Sequence, residues 1–134
     1  VLVEPRIGGD EYTVAIVEGQ RLPSVCIRTS RAFYDYEAKY VDDDTEFLVP
    51  APLDNSQEQA LQRLARQAFD ALGCRGWGRV DVMQQQATGE FFLLEINTVP
   101  GLTSHSLVPM AAQAAGKSFG ELIASIVALA LEEA

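Results

Sequence analysis

The stretch GRVDVMQQQATGEFFLLEIN, residues 78–97, decides the fold. The runs at 78–86 and 90–97 flank Ala87-Thr88-Gly89, and a short glycine-containing connection between two strand-like runs is typical of a β-hairpin. If the hairpin is centred near Thr88, positions 81 and 95 are opposed, because both are equally far from residue 88 along the chain. The count therefore predicts that Asp81 faces Glu95.

The same hairpin predicts a patch of polar side chains. Side chains alternate along a strand, so Asn97 shares the face of Glu95, and Arg79 shares the face of Asp81. Carboxylates directly opposite each other destabilise a sheet, and a positive group is expected between them. Two carboxylates and an amide oxygen suit Mg²⁺, which keeps several waters for a phosphate-bearing partner. The alternative is a solvated sheet face on which Asp81 and Glu95 pair with Arg or Lys, and for Arg79 the alternative role is an ion pair to Asp81.

Outside the hairpin, the pattern predicts further short strands, bounded by Pro and Gly residues, at 1–4, 11–18, 22–28 and 46–50. Residues 29–44 form a polar, aromatic-rich connection that is longer than usual, and such long loops are often functional.

Helical periodicity begins at Ser56, where Ser56 and Gln59 form a predicted capping box, and Gly73 supplies the stop. The apolar face of this helix contains Leu61, Leu64, Ala65, Ala68, Phe69 and Leu72. Two shorter helices are predicted over 106–115 and from residue 118. The fold class is α+β, a single domain over 1–134 with a mainly antiparallel sheet and helices packed on one face.

Composition restricts the class of protein. The chain has 134 residues, 48% of them hydrophobic, and a formal charge of -9, the wrong sign for a nucleic-acid or anionic-membrane surface. No apolar run approaches the ~20 residues of a membrane span, which predicts a soluble protein. Cys26 and Cys74 lack metal-site or redox spacing and are expected to be buried free thiols in a reducing cytoplasm. The chain begins with Val1, and we expect a piece of a longer protein.

Three stretches carry a family resemblance: FYDYEAKY (33–40), GCRGWGRVDVM (73–83) and LLEINTVPGLTSHSLVPMAA (93–112). Together they resemble the D-alanine-D-alanine ligases, ATP-grasp enzymes of bacterial peptidoglycan synthesis. The similarity runs from residue 3 to the last helix, and what it covers resembles only the C-terminal ATP-grasp portion. The N-terminal substrate domain and the central phosphate-gripping region of the family are absent.

The resemblance implies a reaction in which ATP phosphorylates the carboxylate of one D-alanine and the amine of a second attacks the acyl phosphate. It implies that Asp81 and Glu95 bind one Mg²⁺ (or Mn²⁺) while Glu95 and Asn97 bind a second. Arg79 resembles the group that holds the transferring phosphate or the tetrahedral oxyanion. Gly101 resembles the glycine whose N–H faces that oxyanion, although it also suits a simple Pro-Gly turn.

Ser106 and the N–H of Leu107 match the groups that bind the carboxylate of the second D-alanine. Both stand at a predicted helix start, where free N–H groups favour an anion, although Ser106 also suits a simple N-cap. Lys39, near the γ-phosphate, and Tyr40, closing on the substrate, match a flap that excludes water. His105, the sole histidine, is interpreted as a structural hydrogen-bonder rather than a catalyst.

Glu4, Ile7 and Glu11 match the segment that holds the nucleoside, with backbone groups on adenine and Glu11 on the ribose hydroxyls. The chain departs from the family at Pro5, where a lysine is common, because proline has neither a donor N–H nor a cationic side chain.

The leading hypothesis is the C-terminal ATP-grasp domain of a cytoplasmic D-alanine-D-alanine ligase that binds ATP and D-alanine. It is expected to be inactive without the N-terminal part of the same enzyme and, at full length, to form a homodimer without nucleic-acid or membrane partners. One alternative is a ligase for D-lactate or D-serine, against which the Lys39-Tyr40 ending of the flap argues. The others are a non-catalytic nucleotide- or cation-binding module and a structural or dimerising piece.

Overall fold

The computed structural model describes residues 1–29 and 45–132. The strands are β1 (Glu11–Val17), β2 (Gln20–Arg21), β3 (Val25–Arg28), β4 (Glu46–Leu48), β5 (Trp77–Gln84) and β6 (Phe91–Asn97). The helices are α1 (Asn55–Ala71), α2 (Leu107–Ala114) and α3 (Phe119–Glu132). Lys39 and Tyr40 lie outside the described residues.

The strands form one antiparallel sheet in the order β4-β3-β1-β5-β6, with β2 paired to the end of β1. This arrangement confirms the predicted strands at 11–18, 22–28 and 46–50. The strand predicted at residues 1–4 is wrong, since these residues are exposed and take no regular structure. The chain first meets the sheet near Gly8 and Asp10, whose carbonyls accept from the N–H groups of Gln86 and Gln84 at 2.8 and 3.0 Å. Residues 1–4 therefore have no strand to pair with in the described structure.

Both faces of the sheet are covered by helices. On one face, α1 packs against alternate residues of β1 and β5, in a core formed by Tyr12, Val14, Ile16, Leu61, Ala65, Phe69, Val80 and Val82. On the other face, α2 and α3 pack over a second core formed by Ala15, Val17, Val25, Ile27, Val108, Ala111, Ala112 and Leu122. The α+β class is confirmed, but the expectation that the helices lie on one face is wrong. The reason is β1, which is buried continuously from Tyr12 to Val17 and needs cover on both sides.

The first helix starts earlier than predicted. The carboxylate of Asp54 accepts from the N–H of Gln57 at 2.8 Å, and the Gln57 side chain accepts from the N–H of Asp54 at 3.2 Å. The capping box therefore uses Asp54 and Gln57, and the predicted box of Ser56 and Gln59 is wrong. Asp and Ser are comparably good N-cap residues. Capping by Asp54 therefore starts the helix two residues earlier than predicted without weakening the cap.

The last two helices agree with the prediction. The helix α2 is followed by Gly116, whose φ of 84° suits a helix stop. The predicted cap of α3 is confirmed, since the N–H of Glu121 donates to Ser118 Oγ at 3.1 Å and the N–H of Ser118 to Glu121 Oε1 at 3.4 Å. Within the described ranges, no single helix is long and apolar enough to cross a membrane. The pair α2 and α3 passes that test together, but the two helices are bent by 111°.

Cys26 is fully buried, whereas Cys74 is half-buried, and both are free thiols. Burial, with a smaller effect from the Asp10 carboxylate, raises the pKa of Cys26 from 9.0 to about 11. The folded chain therefore keeps a proton between pH 9 and 11 that the unfolded chain releases. The resulting contribution to stability is fully present below pH 9 and is lost as the pH rises toward 11.

We predict that iodoacetamide at pH 8 modifies Cys74 in the native chain and reaches Cys26 only after unfolding in urea, because the Cys26 thiol is both buried and protonated. Mass spectrometry of the alkylated peptides measures both rates. A Cys74→Ser variant supplies the control, since its native form is expected to take up no label. Equal native rates at the two cysteines would contradict the buried placement of Cys26.

Candidate functional site

The four polar residues of the hairpin meet on one face of the sheet. Asp81 is paired in register with Glu95, and Arg79 with Asn97, as the sequence predicts. Toward the turn the register changes, because Val82 pairs with Leu93, and Leu94 is left as the extra residue of a β-bulge. The predicted patch is therefore confirmed as a geometric arrangement.

Asp81 lies at the buried end of this patch, with only 2% of its surface exposed. Arg79 binds its carboxylate with both prongs of the guanidinium, Nε to Oδ1 at 2.9 Å and Nη2 to Oδ2 at 3.0 Å. Such bidentate pairing is the strong form of a charged hydrogen bond. The ion pair that the sequence left as an alternative role for Arg79 is thus present, and it leaves one negative charge of the patch, Glu95, to be balanced.

Thr13, a residue that the sequence analysis did not predict, also contacts Asp81. It is the register partner of Asp81 on β1, and its hydroxyl lies 2.6 Å from Asp81 Oδ1. The signal that could have found it is the polar Thr13 within the otherwise apolar run of β1. A buried polar side chain requires a hydrogen-bond partner, and here the partner is a carboxylate.

Glu95 and Asn97 lie on the other strand of the patch and differ in burial and in hydrogen bonding. Glu95 is exposed, and within residues 1–29 and 45–132 no group hydrogen-bonds its carboxylate. Asn97 is half-buried, and its Oδ1 accepts from the N–H of Val99 at 3.0 Å, which fixes the orientation of the amide. The amide oxygen keeps a second lone pair for another partner.

The donor set of the patch fits a hard divalent cation. Asp81, Glu95 and Asn97 supply carboxylate and amide oxygens only, the ligands of Mg²⁺ and Mn²⁺. Within the described part of the chain, no group of three or more His, Cys, Asp or Glu side chains could hold a metal. A cation in this patch would therefore have few protein ligands and positions left for water or phosphate, as Mg²⁺ prefers.

The start of α2 brings together three of the predicted substrate residues. Ser106 is the N-cap by position, but its hydroxyl does not cap the helix. Ser106 Oγ instead accepts from the N–H of Thr103 at 3.0 Å. A Cβ added at Gly101 would lie 3.0 Å from Ser106 Oγ, so this glycine permits a close approach to Ser106. Leu107, buried and first in the helix, has a first-turn N–H.

His105 is fully on the surface of the turn before α2. None of the described residues hydrogen-bonds its side chain, and the expectation that His105 is a structural hydrogen-bonder is wrong.

Of the predicted nucleoside residues, Glu11 is the one that the strand register ties to the patch. It opens β1 two residues before Thr13, so strand alternation places both on the face of Asp81. Glu4 is exposed and Ile7 half-buried, in a segment without regular structure.

A cavity of about 470 Å³ lies at the turn end of the hairpin, apart from this patch. It is lined by Gly9, Asp10, Gln57, Gln84, Gln85, Gln86 and Gly89. None of these is a predicted site residue, so the cavity and the polar patch are separate features.

Comparison with known proteins identifies relatives of this chain. Residues 1–128 match the family described as the D-ala D-ala ligase C-terminus. A "D-alanine--D-alanine ligase" of Saccharophagus degradans is 55% identical over 131 residues, 98% of this chain and 41% of that protein. A "D-alanine--D-alanine ligase B" of Pseudomonas syringae pv. tomato is 56% identical over 128 residues, 96% of this chain and 40% of that protein. The chain thus spans about two fifths of the length of the curated relatives it matches.

Solved structures agree with these relatives. The D-alanine--D-alanine ligase of Bacillus anthracis complexed with ATP superimposes with a TM-score of 0.79 at 30% identity, covering 95% of this chain and 40% of that one. The VanG D-Ala:D-Ser ligase of Enterococcus faecalis superimposes with a TM-score of 0.77 at 32% identity, covering 92% of this chain and 37% of that one. The fold is therefore shared by ligases that differ in their second substrate.

Proposed function

Since this chain belongs to the family of D-ala D-ala ligase C-termini, we propose that it is the C-terminal ATP-grasp part of a ligase that joins two D-alanines at the expense of ATP. The observation that carries the proposal is the register that sets Asp81 against Glu95 and Arg79 against Asn97 on one sheet face. A relative complexed with ATP, on the same fold, supports the nucleotide as the phosphoryl donor.

In this proposal Asp81 and Glu95 hold one divalent cation, and Glu95 and Asn97 a second, with Mg²⁺ or Mn²⁺ as the metal. When bound, the cations offset the charge of the phosphate oxygens during phosphoryl transfer. Arg79 places its guanidinium at the buried edge of the same patch, where it orients Asp81. In this proposal the guanidinium also binds the transferring phosphate. Glu95 is suited to bridging two cations because its carboxylate is exposed and makes no hydrogen bond to the described residues.

The second D-alanine is proposed to place its carboxylate at the start of α2. The Ser106 hydroxyl and the N–H of Leu107 supply donors there, and the helix dipole favours an anion. The N–H of Gly101 is proposed to face the oxyanion of the tetrahedral intermediate, formed when the amine attacks an acyl phosphate. The position of Ser106 Oγ, where a Cβ on residue 101 would crowd it, supports this arrangement, since it places Gly101 and the Ser106 hydroxyl side by side.

Glu11 is proposed to bind the ribose hydroxyls, with backbone groups near Glu4 and Ile7 on the adenine. The shared strand face of Glu11 and Asp81 supports a nucleoside beside the cation patch. Lys39 and Tyr40, outside the described residues, are proposed to close over the γ-phosphate and substrate as a flap.

The chain spans about two fifths of its relatives, so we propose that the remaining groups of the site belong to the N-terminal part of the same enzyme. The 134 residues act as one domain and are expected to be inactive alone. The complete enzyme is proposed to work in the cytoplasm as a homodimer, supplying D-alanyl-D-alanine for peptidoglycan.

A second candidate is a ligase that takes D-serine, because the D-Ala:D-Ser ligase neighbour has almost the same TM-score as the D-alanine one. A product assay of the full-length protein with equal D-alanine, D-serine and D-lactate decides between them. We expect D-alanyl-D-alanine to exceed the mixed products, in line with the relatives at 55–56% identity. A majority of D-alanyl-D-serine would contradict that specificity, and a lack of any ATP-dependent product would contradict the ligase itself.

A further inference from the structure

Thr13 is a polar residue buried at the centre of the sheet, and the proposed function assigns it no role. Only 1% of its surface is exposed, and its strand lies between β3 and β5. A hydroxyl in this position needs a hydrogen-bond acceptor. Two oxygens of β5 are close, Asp81 Oδ1 at 2.6 Å and the carbonyl of Val80 at 3.3 Å.

The single hydroxyl proton of Thr13 belongs on Asp81. The 2.6 Å distance is that of a charge-assisted O–H to carboxylate bond, while 3.3 Å to the Val80 carbonyl is long for a hydroxyl donor. Thr13 therefore donates to Oδ1 of Asp81 from the neighbouring strand, and Arg79 binds the same carboxylate from its own strand.

The two oxygens of Asp81 are consequently unequal. Oδ1 accepts from both Thr13 Oγ1 and Arg79 Nε, which fills its two lone-pair positions. Among the residues that the structure describes, Oδ2 accepts only from Arg79 Nη2, at 3.0 Å, and keeps one lone pair. The carboxylate thus has a single oxygen position left for a further partner.

We propose that Thr13 is a positioning residue that fixes Asp81 so that the carboxylate binds a divalent cation through Oδ2 alone. This inference rests on the proposed function, in which Asp81 is a cation ligand. Hydrogen bonds from outside the ligand shell orient the ligands and commonly change metal affinity by about 10- to 100-fold. Thr13 also follows Glu11 on the same strand, so β1 would fix both the nucleoside end and the cation end of the site.

The test is Mn²⁺ binding by the full-length protein, followed by the loss of the free-ion electron paramagnetic resonance signal, with Mg²⁺ as competitor. Thr13→Val keeps the shape of the side chain and removes the hydroxyl, and we expect Mn²⁺ affinity to fall about tenfold. Thr13→Ser keeps the hydroxyl and loses a methyl group. We expect its Mn²⁺ affinity to stay within about threefold of the affinity of the parent protein, measured in the same assay. Circular dichroism of each variant shows that the sheet is intact.

The outcomes separate this inference from the proposed function. Parent-level affinity in Thr13→Val overturns the role of Thr13, and so does an equal loss in Thr13→Ser, which would mean that packing is what matters. If Glu95→Ala abolishes binding while Thr13→Val does not, the cation site stands and only the role of Thr13 fails. A folded full-length protein that binds no Mn²⁺ overturns both. Where Thr13→Val does not fold, Thr13→Cys replaces it, and a parent-level affinity for that weaker donor contradicts the inference.

Discussion

Replacing Glu95 with alanine is expected to lower the kcat of the full-length enzyme by about 10²- to 10⁴-fold, because a metal's charge stabilisation is worth several kcal/mol in the transition state. Glu95 is the proposed bridge between two cations, so its loss weakens both sites together. Steady-state assays at saturating ATP and D-alanine measure the change. The side chain is exposed and makes no hydrogen bond to the described residues, so the free energy of unfolding should change by less than about 0.5 kcal/mol.

Glu90 supplies a matched control for this variant. It is an exposed glutamate just before β6, on the same hairpin but at the turn end, away from the patch. Glu90→Ala should therefore leave kcat within about twofold of the parent enzyme, since surface changes away from a site are usually neutral. An enzyme in which Glu95→Ala is as active as Glu90→Ala would support a non-catalytic module instead.

Replacing Arg79 with alanine is expected to lower the free energy of unfolding by about 3–5 kcal/mol, the cost of removing one partner from a buried ion pair. Asp81 would lose its counter-ion in a position that is 2% exposed, and among the described residues the Thr13 hydroxyl would be its remaining side-chain donor. Arg79→Lys should recover only part of the loss, because an ammonium cannot bind both carboxylate oxygens as the guanidinium does. Urea unfolding of this chain, followed by circular dichroism, measures the effect.

An exposed ion pair on α1 provides the comparison for Arg79. Arg66 Nε lies 3.0 Å from Asp70 Oδ2, with side chains 37% and 55% exposed. Arg66→Ala is expected to cost no more than about 1 kcal/mol, since solvent screens such pairs. The double variant Arg79→Ala with Asp81→Asn should regain part of the stability, because the buried charge is gone, but none of the activity. An Arg79→Ala chain as stable as Arg66→Ala would contradict the buried ion pair.

The pairing of Asp81 with Glu95 could be predicted from the sequence, although for an incomplete reason. Counting outward from Thr88 assumes a symmetric hairpin, whereas the pairs nearest the turn, such as Val82 with Leu93, follow a register shifted by one residue. The bulge at Leu94 restores the symmetric count before the site is reached. Because bulges leave no clear mark in a sequence, neither the shifted register near the turn nor the bulge at Leu94 could be predicted. The predicted pairing of Asp81 with Glu95 is correct because these two departures from a symmetric hairpin cancel.

The cover on both faces of the sheet could not be predicted from the helices. An apolar stripe on a helix shows that the helix packs on something, but it does not show which face of a sheet receives it. The information lay in β1, where six consecutive residues from Tyr12 to Val17 are buried, a pattern of strands covered on both faces.

Tertiary contacts explain the remaining differences. Thr13 resembles an ordinary strand residue until β5 is placed beside it, so its contact with Asp81 could not be read from either segment alone. Ser106 has the sequence and the position of an N-cap, but its hydroxyl oxygen accepts from the N–H of Thr103 and not from the helix. The partner of Thr13 is therefore set by the fold, whereas the partner of Ser106 lies in the same turn.

The most direct test of the cation patch is isothermal titration of the full-length protein with a non-hydrolysable ATP analogue, with and without Mg²⁺, beside the Glu95→Ala variant. We predict that Mg²⁺ strengthens nucleotide binding by the parent protein and that this gain is lost in Glu95→Ala. An equal gain from Mg²⁺ in both proteins would contradict the account, because the metal would then be held without the residue at the centre of the patch.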